Sequence, residues 1–193
     1  VAVDSTGALT LVWVDGTHRE VPAQRSLEEL AVMSRDVAVD LRSYVTVGRR
    51  RDGALIVVDL ESWRVLGVTG PGQVRIISRL VEDLGSLAGR RPPIWCWNIE
   101  LDSSGHRVHT TSDLQRALDE SARIAHGGDR CVLVLGQIPG PRPFRLPTGV
   151  NVVVAGSTSR GLALDYRAST WRLDPLAWDL DTIVGQSADS PDG

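Results

Sequence analysis

Two nearly unbroken apolar runs constrain this chain more than any other feature: CVLVL at Cys131–Leu135 and VNVVVA at Val150–Ala155. Each is of strand length and too short for a buried helix. A strand that is apolar at almost every position, rather than at alternate ones, has to be covered on both faces. Such strands belong to parallel sheets, whose connections run through helices. Helical patterns do lie between apolar stretches. A strand at 64–68 leads into a helix over 73–87, stopped by Gly89 and Pro92-Pro93. A strand follows at 94–99. A helix capped by Ser112 then runs over 113–126 and is closed by Gly127-Gly128. The fold class read from this alternation is α/β, a mostly parallel sheet flanked by helices.

Antiparallel additions complete that reading. Asp15-Gly16 joins 8–14 to 17–21 as a hairpin, and a polar turn at 49–53 joins 44–48 to 54–60. Ser26 with Glu29 is a capping box opening a helix over 27–41. Segments 162–166 and 170–173 form a closing pair. The chain then divides into an N-terminal hairpin and helix (1–43), an α/β domain (44–184) and a Ser/Asp/Gly/Pro linker or tail (185–193). Its opening on a strand-like stretch without Met predicts a piece excised from a larger protein.

Charge narrows the chemistry. All 21 basic residues are Arg, so the chain has no Lys. Schiff-base chemistry, a lysine general base and a phosphate-gripping lysine are therefore excluded. A net charge of −3 argues against general affinity for nucleic acid. No apolar run reaches the ~18 residues that span a bilayer, and no signal peptide is evident. Cys96 and Cys131 lie in apolar runs, as two reduced core cysteines of a cytoplasmic protein would.

The stretch Gly67-Val68-Thr69-Gly70-Pro71-Gly72-Gln73-Val74 sits at a strand-to-helix junction. Gly67 and Gly72 have the spacing of the phosphate-binding loop G-x-x-x-x-G-K-[ST]. Gln73 stands at the lysine position and Val74 at the metal-binding hydroxyl position. A neutral amide cannot offset β- and γ-phosphate charge, and valine cannot hold a metal. The matching buried strand ends in Gly136-Gln137, with no carboxylate. Pro71 removes one N–H from the cradle. Gly67, Thr69, Gly70, Gly72 and Gln73 are thus a vestigial phosphate loop.

On these residues, 64–173 resembles the motor domain of FtsK-type DNA translocases in degenerate form, which implies a P-loop NTPase-like fold without its hydrolysis site. Thr69-Gly70-Pro71-Gly72-Gln73-Val74 stands for the family's T-G-x-G-K-S, and Gly136-Gln137 for its D-E. Residues 149–157 (GVNVVVAGS) stand for its G-I-H-L-I-L-A-T-Q, with Ser157 at the phosphate-sensing glutamine. A second resemblance rests on 45–70 (VTVGRRRDGALIVVDLESWRVLGVTG) and 149–176, which ends in WRLDPL. These are similar to segments of large actinobacterial proteins that carry LysM and bacterial transcriptional activator domains. That likeness implies a transcription-linked setting.

Other candidates read as structure. Arg49-Arg50-Arg51 is a solvated turn, and Arg90-Arg91, Arg142 and Arg145 sit in loops. His106 and His109 fall on opposite faces of a strand, wrong for sharing a metal; His18 and His126 read as surface residues. Asp59 and Glu61 form the polar end of a strand rather than an acid/base pair. Trp95 and Trp97 share a strand face and pack under a helix. The expected function is that of a non-catalytic structural or regulatory interaction domain, without cofactor or metal, whose partner is another domain of the same protein or a separate protein. The alternatives are a nucleotide-binding switch without hydrolysis and an ATPase completed by a neighbouring protomer.

Overall fold

A computed structural model of the protein describes residues 2–3, 9–14, 20–24, 43–51, 53, 55–84, 91–101, 107–140, 146–158 and 161–184, with backbone alone before residue 43. Thirteen strands form one sheet. In chain order they are β1 (Ala2–Val3), β2 (Leu9–Val14), β3 (Glu20–Gln24), β4 (Tyr44–Arg50), β5 (Leu55–Asp59), β6 (Val65–Thr69) and β7 (Ile94–Trp97). Then come β8 (Val108–Thr111), β9 (Cys131–Leu135), β10 (Val150–Ala155), β11 (Leu162–Arg167), β12 (Thr170–Asp174) and β13 (Trp178–Ile183). Three helices accompany them among the described residues: α1 (Leu60–Trp63), α2 (Gln73–Asp83) and α3 (Leu114–His126).

Spatial order is β1-β2-β5-β4-β13-β12-β11-β6-β10-β9-β7-β8, with β3 beside β2. Six strand pairs are parallel and six antiparallel. This overturns the expected fold class. The molecule is a strand-rich mixed sheet, not a mostly parallel, helix-flanked, P-loop-like one. The parallel run from β11 to β8 is present, with β9 and β10 buried at every position as their composition demands. The hairpins, however, are not appendages. β12, β13, β4 and β5 continue the same sheet from β11. Local pattern reveals that two strands form a hairpin but not what the hairpin's outer edge pairs with.

Side chains of the parallel strands alternate between two cores. Leu66, Val68, Val132, Val134 and Val153 pack with Ile76, Ile77, Leu80 and Val81 of α2. Trp95, Trp97, Leu133, Leu135, Val152 and Val154 pack with Ala117 and Leu118 of α3. The first core runs on through Leu162, Leu164, Trp171, Leu173, Leu180, Val45, Val47, Ile56 and Val58. Helix α2 therefore touches β4 as well as β6 and β10. In sheet order β4 lies four strands from β6, ~19 Å at ~4.8 Å per step. A helix is only ~10 Å across, so the sheet curls around α2. The Thr46 amide donates to Asp83 Oδ2 at 2.7 Å and fastens β4 to the end of that helix.

Local chemistry sets the element ends. Asp113, not Ser112, caps α3: its carboxylate accepts from the Gln115 and Arg116 amides at 2.9 and 3.2 Å. Asp59 caps α1, accepting from the Glu61 amide and the Ser62 hydroxyl. Glu61 pairs with Arg130 at 2.6 Å. The two carboxylates thus do structural work. Arg64 ends α1 with φ 63 and donates from its guanidinium to the Pro147 carbonyl at 2.6 Å, pinning the chain ahead of β10. The expected helix at 27–41, the turn at 102–105, His18, His106, Arg90, Arg142, Arg145 and the tail from 185 lie outside the described residues.

Candidate functional site

The glycine-marked junction is a tight turn between β6 and α2. Gly67 lies in the middle of β6, where the chain leaving β10 crosses it. A methyl group there would meet the Gly156 carbonyl oxygen at 2.6 Å and Thr158 Cγ2 at 2.9 Å. Gly70 (φ 149) lies under Tyr166 and Trp171, whose atoms would stand 2.6 and 2.7 Å from an added methyl. Gly72 takes φ 66 as the N-cap of α2 and faces open space. Gln73 is the first helical residue, and its amide donates to the Gly70 carbonyl at 3.3 Å. The Ile76 amide is taken by the Gly72 carbonyl at 3.0 Å. The sequence-predicted residues thus share one junction, but an indole covers Gly70 and the Gln73 N–H is engaged within the turn.

Across the strands the same edge holds groups that sequence reasoning missed. Thr69 and Asp165 are register partners on β6 and β11, so their side chains leave the same face of the sheet. Asp165 is 4% exposed, although its strand ends in solvent. Its Oδ2 accepts from Arg167 Nη2 at 2.6 Å and from the Ser157 hydroxyl at 3.3 Å. Its Oδ1 and the Thr69 hydroxyl are both buried without a protein partner. Arg167 also reaches Asp174 at 3.2 Å, and the hydrogen bond to Asp165 holds its guanidinium more firmly protonated than usual. Beyond it, Arg172 pairs with Asp174 and Asp179. The signal was legible: in LALDYR, Asp165 falls in phase with the buried Ala163.

On the other face of the sheet, Tyr166 and Trp171 are register partners with ring centroids 5.3 Å apart. The Trp171 indole N–H is buried without a partner. Among the described residues three large apolar side chains are exposed: Ile138 at 53%, Val74 at 45% and Tyr166 at 38%. Each follows the carboxyl end of a parallel strand or sits at it: Ile138 after β9, Val74 in the first turn after β6, and Tyr166 near the end of β11.

Of the remaining candidates, the two tryptophans and the two cysteines are packed, whereas His109 and His126 are exposed. Trp95 and Trp97 lie beneath α3, the Trp97 indole donates to the Ser112 carbonyl at 3.0 Å, and Trp95 stacks on His109 at 4.8 Å. Both cysteines are buried and unbridged, and burial pushes Cys96 up to about 12 and Cys131 up to about 11. Arg50 lies over the Trp178 ring at 5.2 Å. His126 Nδ1 faces the Ala122 carbonyl at 2.7 Å. The described residues contain no group of three His, Cys, Asp or Glu that could hold a metal. Nor do they contain a helix long and apolar enough to cross a membrane. No family model and no curated protein matches the chain.

Proposed function

We propose that this chain is a non-catalytic interaction domain, structural or regulatory, that meets another domain or protein through the carboxyl edge of its parallel strands. One observation carries the proposal. Every exposed large apolar side chain of the described residues lies at that edge, in Val74, Ile138 and Tyr166. Scattered exposed apolar groups are ordinary, whereas their confinement to one edge marks a contact surface. Open sheets with parallel strands bind at that end, because the loops there are free to vary. The glycine junction supports the non-catalytic part. Its helix begins with Gln73 rather than Lys, and Trp171 covers Gly70. The resemblance to activator-bearing proteins adds a transcription-linked setting.

Photo-crosslinking in the full-length protein tests this reading. A benzoylphenylalanine at position 138 or 166 is expected to form one specific adduct, within the protein or to a single partner. The same probe at Arg123, on the exposed side of α3, is expected to form none. Incubation with labelled ATP and magnesium is expected to give neither retention nor phosphate release. Turnover that disappears in Gln73→Ala would overturn the non-catalytic reading, and equal labelling at 138 and 123 would overturn the surface.

A further inference from the structure

We infer that two copies of this chain pair through the outer edge of β8, antiparallel across a two-fold axis, so that their sheets join. β8 ends the sheet on its parallel side, and among the described residues its strand partner is β7 alone. Its backbone groups divide between two sides. The Ile94 amide donates to the Arg107 carbonyl at 3.0 Å and the Asn98 amide to the Thr111 carbonyl at 3.2 Å, so residues 107, 109 and 111 face β7. The N–H and C=O groups of Val108 and Thr110 therefore point away from the sheet. Open edges are usually blunted by Lys, Pro or a bulge. The VHTT of β8 has neither Lys nor Pro, and its register with β7 is unbroken. His109 and Thr110 are exposed.

The residues in and around β8 select a second copy. Aligned antiparallel about His109, Val108 of each copy exchanges both N–H···O bonds with Thr110 of the other. Threonine and valine are favoured cross-strand neighbours, and β8 itself holds no Asp, Glu or Arg to meet its like across the axis. Charge flanks the strand instead, with exposed Arg107 before it and exposed Asp113, in extended backbone, after it. In the two-fold alignment Arg107 stands opposite Thr111 of the other copy, one diagonal step from that copy's Asp113, which a long side chain reaches. Symmetry repeats the ion pair at the far end. Parallel pairing would set Arg107 beside Arg107 and would not close. The contact is thus isologous. It is independent of the apolar edge groups, since β8 contains none of Val74, Ile138 and Tyr166.

Sedimentation equilibrium of the purified protein tests the inference. A contact of one strand pair is small, so a dimer with Kd on the order of 50 µM is expected. Thr110→Pro removes an outward N–H that the monomer does not use, and should leave a folded monomer at all concentrations. Should Thr110→Pro fail to fold, Arg107→Glu takes its place and should weaken the dimer about tenfold by facing Asp113 with a like charge. Register has its own readout: His109→Cys places two thiols across the axis and should give a disulfide-linked dimer under copper-phenanthroline. Arg123→Cys, on the exposed side of α3, should not. A wild-type protein that stays monomeric throughout overturns the inference and leaves the edge to a strand of another protein. So does a folded Thr110→Pro or Arg107→Glu that dimerises as the wild type does, or a His109→Cys that crosslinks no faster than Arg123→Cys.

Discussion

Gly70 and Gly72 stand two residues apart and are glycine for different reasons. Gly72 needs its conformation: φ is 66, but an added methyl would meet nothing. Gly70 needs both its conformation and its bareness, because Tyr166 and Trp171 close over it. Gly72→Ala should therefore cost about 1 kcal/mol, the ordinary penalty of a left-handed non-glycine residue. Gly70→Ala should cost about 2–4 kcal/mol, since an indole in the core must also move. Urea unfolding of the two variants side by side checks the order, and equal losses would show that Trp171 does not cover the turn. The cysteines make a second prediction at this scale. Folding raises both thiol pKa values, so the unfolded chain ionises first as pH rises. Their contribution is complete below the unfolded value near 9 and is lost from there toward 11 and 12. Stability should fall above pH 9 by about 1.4 kcal/mol per pH unit for each thiol. The chain suits this measurement because it has no Lys, leaving its two tyrosines as the other side chains that titrate there. Urea midpoints at pH 8, 9 and 10 should drop for the wild type and drop less for a Cys96→Ala, Cys131→Ala double variant.

At the scale of elements, the turn joining β11 to β12 departs from the residues such turns prefer. Ala168 and Ser169 both have positive φ, 48 and 67, in the two-residue loop between the paired Arg167 and Thr170. That is type I′ geometry, which Asn-Gly adopts with little strain. Replacing Ala168-Ser169 with Asn-Gly should stabilise the protein by about 1 kcal/mol, read as a raised thermal midpoint. No gain would mean that the loop takes another shape. Elements were also where the sequence was most readable. The runs at β9 and β10, the β2–β3 and β4–β5 hairpins, the β11–β12 pair and helices α2 and α3 follow from periodicity and turn residues. β13 was not anticipated, although WDLDTI opens with the alternation of a half-buried strand: the expected closing pair ends at 173, and no element is assigned from there to the tail at 185. α1 escaped as well. Its four residues carry too little periodicity, and its start is set by the Asp59 cap.

For the molecule as a whole, the decisive contact is the bending of the sheet around α2. The continuous core from β4 and β5 to β7 makes the hairpin half and the parallel half one packed unit. Asp83 binds the Thr46 amide across that bend. Asp83→Ala leaves this N–H without its acceptor and should cost about 1–3 kcal/mol. Hydrogen exchange should show the loss in β4 and β10 alike, because both strands pack on α2. Faster exchange confined to β4 would show that the two halves open separately.

Composition and periodicity alone determined most of the strand segments, though not β13, together with the helical character of α2 and α3 and the absence of any lysine chemistry. Those properties live in neighbouring residues and in the alphabet of the chain. Tertiary structure decided the rest. It joined the hairpins to the parallel strands in one mixed sheet, against the helix-flanked expectation, because strand pairing is set by contacts between residues far apart in sequence. It laid Trp171 over Gly70 and set Asp165 beside Thr69, partners separated by about a hundred residues that only the register of β6 with β11 brings together.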